Sequence, residues 1–223
     1  MRVDAFDFDL PPERIALRPA RPRDAARMLV AQGSSISDKG VRDLPSLLRA
    51  GDCLVFNDTR VIPAQLEGHR GEAKIGATLH KRIDLRRWQA FVRNAKRLRA
   101  GETVDFGSGV AAVAEQRLAG GSFVLALAGD EAGALLPRRA GTMPLPPYIA
   151  GKRATDDADR SDYQTMFAEK DGAVAAPTAA LHFTPELLAA LDAAGVAAET
   201  LAPHLGARPL LPGRARGTHG HLT

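Results

Sequence analysis

Cysteine is almost missing from this chain of 223 residues: Cys53 stands alone, so no internal disulfide framework exists and a reducing, cytoplasmic setting is expected. Long apolar runs are missing too. No stretch approaches the roughly 20 apolar residues that cross a bilayer, and no membrane association is expected. The opening Met1-Arg2-Val3-Asp4-Ala5-Phe6-Asp7 brings acids early and has no apolar h-region, so a signal peptide is not expected. No Cys/His set has metal-ligand spacing, and no G-x-G-x-x-G fingerprint marks a Rossmann dinucleotide site. No internal repeat is visible.

What remains is an ordinary globular composition, 45% apolar and 25% charged, long enough for one large domain or two small ones. The formal charge of +4 is mostly a tail effect, because residues 201–223 hold Arg208, Arg214 and Arg216 and no acid. A local cluster says more. Between Lys81 and Arg99 lie Lys81, Arg82, Arg86, Arg87, Arg93, Lys96, Arg97 and Arg99 against Asp84 alone, a density that suits phosphate contact or, alternatively, a solvated face.

Punctuation along the chain suggests three texture changes. A short helix is expected from about Asp43, stopped by Gly51, and Cys53-Leu54-Val55-Phe56 reads as a buried strand in which Cys53 is a small hydrophobe. That strand empties into Asn57-Asp58-Thr59-Arg60, a common way to present chemistry at a sheet edge. From about Gln65 to Arg139 short strands are expected at Trp88–Val92, Glu102–Phe106, Val110–Val113 and Ser122–Ala128, separated by glycine turns, the pattern of a small all-β module. Thr184-Pro185-Glu186 then supplies a helix start, Leu187, Leu188 and Leu191 share one face, and Gly195 ends the helix. The last 23 residues show no period, and by composition are disordered or spurious.

Several ordered strings resemble one family, the S-adenosylmethionine:tRNA ribosyltransferase-isomerases of queuosine biosynthesis. They are Phe6-Asp7-Phe8-Asp9-Leu10-Pro11, the block from Pro22 to Val30, the long string from Gly51 to Ala64, Gly141 to Ile149, Asp162-Tyr163-Gln164-Thr165, and Ala175 to Thr184. Gln65 stands where the family usually has arginine, and Ala180 where it usually has glycine. After Leu201 the register with the family is only partial, through His204, Gly206, Ala207, Leu211 and Pro212, which implies a truncated or frame-disrupted C-terminal end.

The resemblance implies an α+β, β-rich fold: a mixed α/β barrel-like main domain with an inserted small all-β, Greek-key barrel-like domain. The expected divisions are residues 1–65 and 141–201 for the main domain, 66–140 for the insertion and 202–223 for an aberrant tail. It also implies transfer and isomerisation of the ribosyl part of S-adenosylmethionine onto 7-aminomethyl-7-deazaguanine in tRNA, with loss of adenine and methionine. S-adenosylmethionine is then a consumed substrate, and no true cofactor or metal is implied. The protein is expected to be a monomer. The alternative is an inactive remnant that binds tRNA without catalysis.

Such chemistry needs groups that position two reactants and manage shifting charge and protons. Asp58 is the first candidate, as partner of a ribose hydroxyl or the substrate amine; a turn-capping aspartate is the alternative. His182 is the second, to protonate adenine or bind the base, against a purely structural loop histidine. Substrate binding is expected of Asn57, Thr59, Arg60, Tyr148, Gln164, Thr178 and Phe183. Arg60 is equally an ion-pair residue, and Phe183 equally core. Arg93, Lys96 and Arg97 are the expected tRNA contacts.

Overall fold

The computed structural model describes residues 2–118, 121–128 and 135–202, with side chains for all of these except 135–137. Six antiparallel strands close into a barrel: β5 (Gln65–Arg70), β6 (Ala73–Arg82), β7 (Arg87–Arg93), β8 (Thr103–Asp105), β9 (Ala111–Arg117) and β10 (Ser122–Leu127). The alternation that makes a barrel is plain in β7, where Trp88, Ala90 and Val92 are buried between Arg87, Gln89, Phe91 and Arg93. Leu66, Ile75, Leu79, Leu98, Val104, Val110, Phe123 and Leu125 fill the interior, with Ala77, Ala90, Ala112 and Ala114 where space is short.

β5, β6 and β7 follow one another as hairpins, and β8 then returns to pair with β5, which is a Greek key; β8, β9 and β10 complete the circuit against β7. Gly68 makes the β5–β8 closure possible. A Cβ there would sit 2.3 Å from the Asp105 carbonyl oxygen and 2.7 Å from the Phe106 ring. The sequence foresees only four of the six strands, because β5 and β6 carry glycines and charged residues that blur their alternation.

Outside the barrel the described residues form three two-stranded sheets. β1 (Arg27–Gln32) and β2 (Ser35–Gly40) make a hairpin. β3 (Cys53–Asn57) runs parallel to β12 (Ala197–Leu201), and β4 (Thr59–Val61) runs parallel to β11 (Lys170–Ala173). Helices are short: α1 (Leu135–Ala140), α2 (Pro147–Ala150), α3 (Asp159–Asp162) and α4 (Pro185–Ala193). α4 begins as its sequence requires, with the Thr184 hydroxyl accepting from the Leu187 amide at 3.2 Å and Pro185 in the first turn. Its Leu187 and Leu191 pack with Val41 and Val196 in a second, smaller core.

Two local expectations are corrected. The short helix expected from about Asp43 to Gly51 is a 3-10 helix, Val41–Ser46, that begins earlier and ends well before Gly51, with Pro45 inside it. Strand β3 is not buried: Cys53 is exposed and Val55 is 59% exposed, because β12 is the neighbour this strand has among the described residues, and Phe56 alone of its side chains is fully buried.

Candidate functional site

The buried Phe56 ends the apolar part of β3 and anchors the turn beyond it. Asn57 folds its side chain over that turn, Oδ1 accepting from the Thr59 amide at 2.8 Å and the Thr59 hydroxyl at 2.5 Å. This turns Asp58 inward to 2% exposure. Its backbone is gripped on both sides: the amide donates to the Leu201 carbonyl, and the carbonyl accepts from the amides of Glu169 and Lys170. One carboxylate oxygen, Oδ2, accepts from Lys170 Nζ at 2.7 Å, while Oδ1 is buried with no hydrogen-bond partner. The hydrogen bond to Asp58, then its charge, raises the Lys170 ammonium above its ordinary value, so this cation persists through the neutral range. A buried carboxylate held on one side only is costly unless its other oxygen is used.

A second stretch of chain closes against this loop. The Gln164 carboxamide substitutes for a strand neighbour of Val61: Oε1 accepts from the Val61 amide at 3.0 Å and Nε2 donates to the Val61 carbonyl at 2.6 Å. Arg23 then ties three carbonyls together, donating to Gln164 at 2.7 Å, Leu181 at 3.2 Å and Ser161 at 2.6 Å. Phe56 stacks on Phe167 with centroids 4.1 Å apart and meets Phe183 edge-on at 4.7 Å. Phe56 is two residues from Asp58 and Phe183 follows His182, so the acid-bearing and histidine-bearing loops share one aromatic seam.

The structure thus gathers Asn57, Asp58, Thr59, Gln164 and Phe183. His182 and Thr178 belong to the exposed 3-10 turn Thr178–His182 beside that seam. Arg60 is on its edge, donating to Asp171 at 3.3 Å and to the Ala168 carbonyl at 3.1 Å, and Arg138 shares Asp171 at 2.5 Å. Tyr148, 57% exposed on α2, stands beside Tyr163. Behind Tyr163, Arg18, Arg21 and Arg153 staple Asp156, Asp159 and Asp162; fully buried Asp159 accepts from Arg153 at 2.8 and 2.5 Å and from Arg18 at 3.1 Å.

Arg93, Lys96 and Arg97 are exposed on the barrel, where Arg93 pairs with Glu67 and the Arg97 carbonyl accepts from Arg70. Two open concavities, of about 480 and 600 Å³, are lined respectively by residues that include Asp24, Arg42 and Leu187, and by residues that include Leu85, Arg87 and Leu127; neither is lined by Asp58 or His182. No group of three or more His, Cys, Asp or Glu side chains is placed to hold a metal among the described residues, nor is any described helix long and apolar enough to cross a membrane.

Sequence reasoning missed Lys170, Arg23 and Phe167. Lys170 sits in the charged run Glu169-Lys170-Asp171, which carries no signal of a buried partner 112 residues away. Arg23 lies inside a string already singled out, but nothing in that string says that it bonds to carbonyls.

The family model described as "Queuosine biosynthesis protein" matches residues 3–222. The S-adenosylmethionine:tRNA ribosyltransferase-isomerase of Sphingopyxis alaskensis is 80% identical over 222 residues, covering all of this chain and 63% of that protein. Its counterparts from Rhizorhabdus wittichii and Zymomonas mobilis are 69% and 54% identical, each with 65% of its length covered. A crystal structure of S-adenosylmethionine tRNA ribosyltransferase from Thermotoga maritima matches at 29% identity over 87% of this chain and 56% of that one, with a TM-score of 0.33.

The chain belongs to the queuosine biosynthesis protein family. It spans 63 to 65% of the length of these three curated relatives. The match extends through the tail expected to be aberrant, whose residues 203–223 lie outside the described residues.

Proposed function

We propose that this chain carries a ribosyl-transfer and isomerisation site that uses S-adenosylmethionine as a consumed substrate and tRNA bearing 7-aminomethyl-7-deazaguanine as acceptor. The observation that carries the reading is the half-satisfied Asp58: its Oδ2 is held by Lys170, and its buried Oδ1 has acceptor capacity left for a ribose hydroxyl or the attacking amine. Asn57 and Thr59 shape the turn that carries that carboxylate. Gln164 fixes the strand beyond it, and Phe183 offers an aromatic face to a base. His182, exposed beside the same seam, is the group to hand a proton to departing adenine. Arg60 takes a carboxylate or phosphate at the rim. Thr178 and Tyr148 make outer contacts with substrate, and Arg93, Lys96 and Arg97 contact tRNA.

In this reading residues 66–140 are an all-β domain inserted into a mixed α/β barrel-like main domain. The exposed parallel pair of β3 and β12 supports it, since parallel sheets are ordinarily covered on both faces. The protein works in the cytoplasm as a monomer, with no resident cofactor.

The test is adenine release from S-adenosylmethionine in the presence of the modified tRNA. Asp58→Ala is expected to reduce turnover by about 100-fold or more, and an unchanged rate overturns its role. A second reading, tRNA binding without turnover, is favoured by the basic cluster between Lys81 and Arg99, which belongs to the barrel and not to the part of the chain that carries Asp58 and His182. It is the result if the unchanged chain binds tRNA and releases no adenine.

A further inference from the structure

Among the described residues, four side-chain atoms are buried without a hydrogen-bond partner: Asp58 Oδ1, His80 Nε2, Trp88 Nε1 and Thr165 Oγ1. His80 and Trp88 belong to β6 and β7 of the barrel. Asp58 and Thr165 lie outside it, and both are buried, at 2% and 6% exposure. An unpaired buried hydroxyl is unfavourable in the protein by itself, and a ligand group is one means of pairing it.

More than a hundred positions separate the two residues, yet the segments that carry them are bound to each other. Gln164 holds both backbone groups of Val61, and the Phe167 ring stacks on Phe56. The Ala168 carbonyl accepts from Arg60, and the amides of Glu169 and Lys170 donate to the Asp58 carbonyl. Thr165 lies inside this clamped stretch. It starts a tight turn in which its carbonyl accepts from the Ala168 amide at 3.3 Å.

We propose that Thr165 Oγ1 and Asp58 Oδ1 form one subsite for a sugar hydroxyl, the vicinal diol of a ribose. The proposal rests on the reading of Asp58 as a substrate-binding carboxylate, and it selects the ribose over the amine as the group bound there. An ionised carboxylate only accepts, whereas a threonine hydroxyl both donates and accepts. A ligand carboxylate or phosphate would be repelled by Asp58. An amine, whether protonated or holding its lone pair for attack, only donates, and the Thr165 proton would stay unpaired. A sugar hydroxyl donates to Oδ1 and accepts from Oγ1, and the second hydroxyl of a diol repeats either contact. Met166, at 43% exposure, adjoins Thr165, and the 61% exposed Lys170 side chain covers the other oxygen of Asp58. Both side chains are long and unbranched, so a ligand reaches the pair by displacing them without moving the backbone.

The test is calorimetric titration of S-adenosylmethionine, adenosine and 2′,3′-dideoxyadenosine into the unchanged chain, Thr165→Val and Thr165→Ser, with and without a transcribed tRNA. Thermal unfolding of each protein accompanies it. Thr165→Val replaces the hydroxyl by a methyl of like size. It is expected to weaken S-adenosylmethionine and adenosine by about 5- to 10-fold, the loss of one hydrogen bond. Dideoxyadenosine, which lacks the diol, should not distinguish the two proteins. Thr165→Ser keeps the hydroxyl and should bind within about twofold of the unchanged chain. Because the hydroxyl has no partner in the protein, Thr165→Val should unfold at the same temperature as the unchanged chain or higher. Equal affinity of Thr165→Val and the unchanged chain overturns the Thr165 assignment and leaves the reading of Asp58 standing. So does a lowered unfolding temperature in Thr165→Val alone, which makes the hydroxyl structural. A loss for dideoxyadenosine as large as for adenosine moves the contact off the diol and also overturns the proposal. No binding of S-adenosylmethionine or adenosine by the unchanged chain in either condition overturns both.

Discussion

The barrel and the rest of the described chain hold themselves together by different means. The barrel closes all its edges and buries a continuous apolar interior, from Leu66 through Phe123 to Leu125. The remainder has one small core around Leu187 and Leu191, two short parallel strand pairs, and a staple of three arginines on three aspartates. Apolar packing contains no titrating group, whereas a carboxylate network depends on pH and is screened by salt. The candidate catalytic groups belong to the second kind of structure, where polar contacts set positions and the buried Oδ1 of Asp58 is left without a partner.

Phe123→Ala tests the packed half most severely. Emptying the fully buried site of this ring is expected to cost about 4 kcal/mol in denaturant unfolding. Asp159→Ala tests the stapled half and should cost about 3 kcal/mol, because it leaves the Arg153 guanidinium without its buried partner. The two losses should appear in different regions by hydrogen exchange; spreading of either across the whole chain would dissolve the contrast.

Acid sharpens the same comparison. The Arg153 hydrogen bonds hold the Asp159 carboxyl below its ordinary value of 3.8. Its stabilisation is therefore complete above that pH and is lost as pH falls through the folded value. Amides around α3 should lose protection below about pH 4 before those of β6 and β7 do. Gly68→Ala is the gentler probe of the barrel, expected to cost about 2 kcal/mol as β8 is pushed off β5. The smallest effect is at β3 and β12, whose amides should exchange faster than those of β7 in the unchanged chain.

The sequence was readable where a local rule acts alone. Thr184-Pro185 starts α4 and Gly195, at φ +76°, comes just after its end, because caps depend on neighbours a few residues away. The all-β character of the middle was legible from short strands set between glycine turns, but β5 was not: Gly68 looks like a turn residue and is in fact a point of close backbone approach. Cys53-Leu54-Val55-Phe56 read as buried because its composition is apolar. Burial depends on which strands flank it, and that is a long-range fact. Within the site, Asp58 stood out through its motif, whereas its partner Lys170 was hidden, since an ion pair across 112 residues leaves no local trace. The basic cluster is contiguous in sequence, but β7 spreads it along the barrel from Arg87 to Arg93, which composition does not reveal.

At position 164 the carboxamide matches both backbone hydrogen-bonding groups of one residue, donor to acceptor and acceptor to donor. Gln164→Glu keeps the shape and exchanges one NH2 for an oxygen, setting two lone-pair-bearing atoms face to face at Val61. The site can therefore distinguish an amide from an acid of the same size. Deamidation of this one side chain would loosen the strand leading away from Asp58 without removing a single carbon atom.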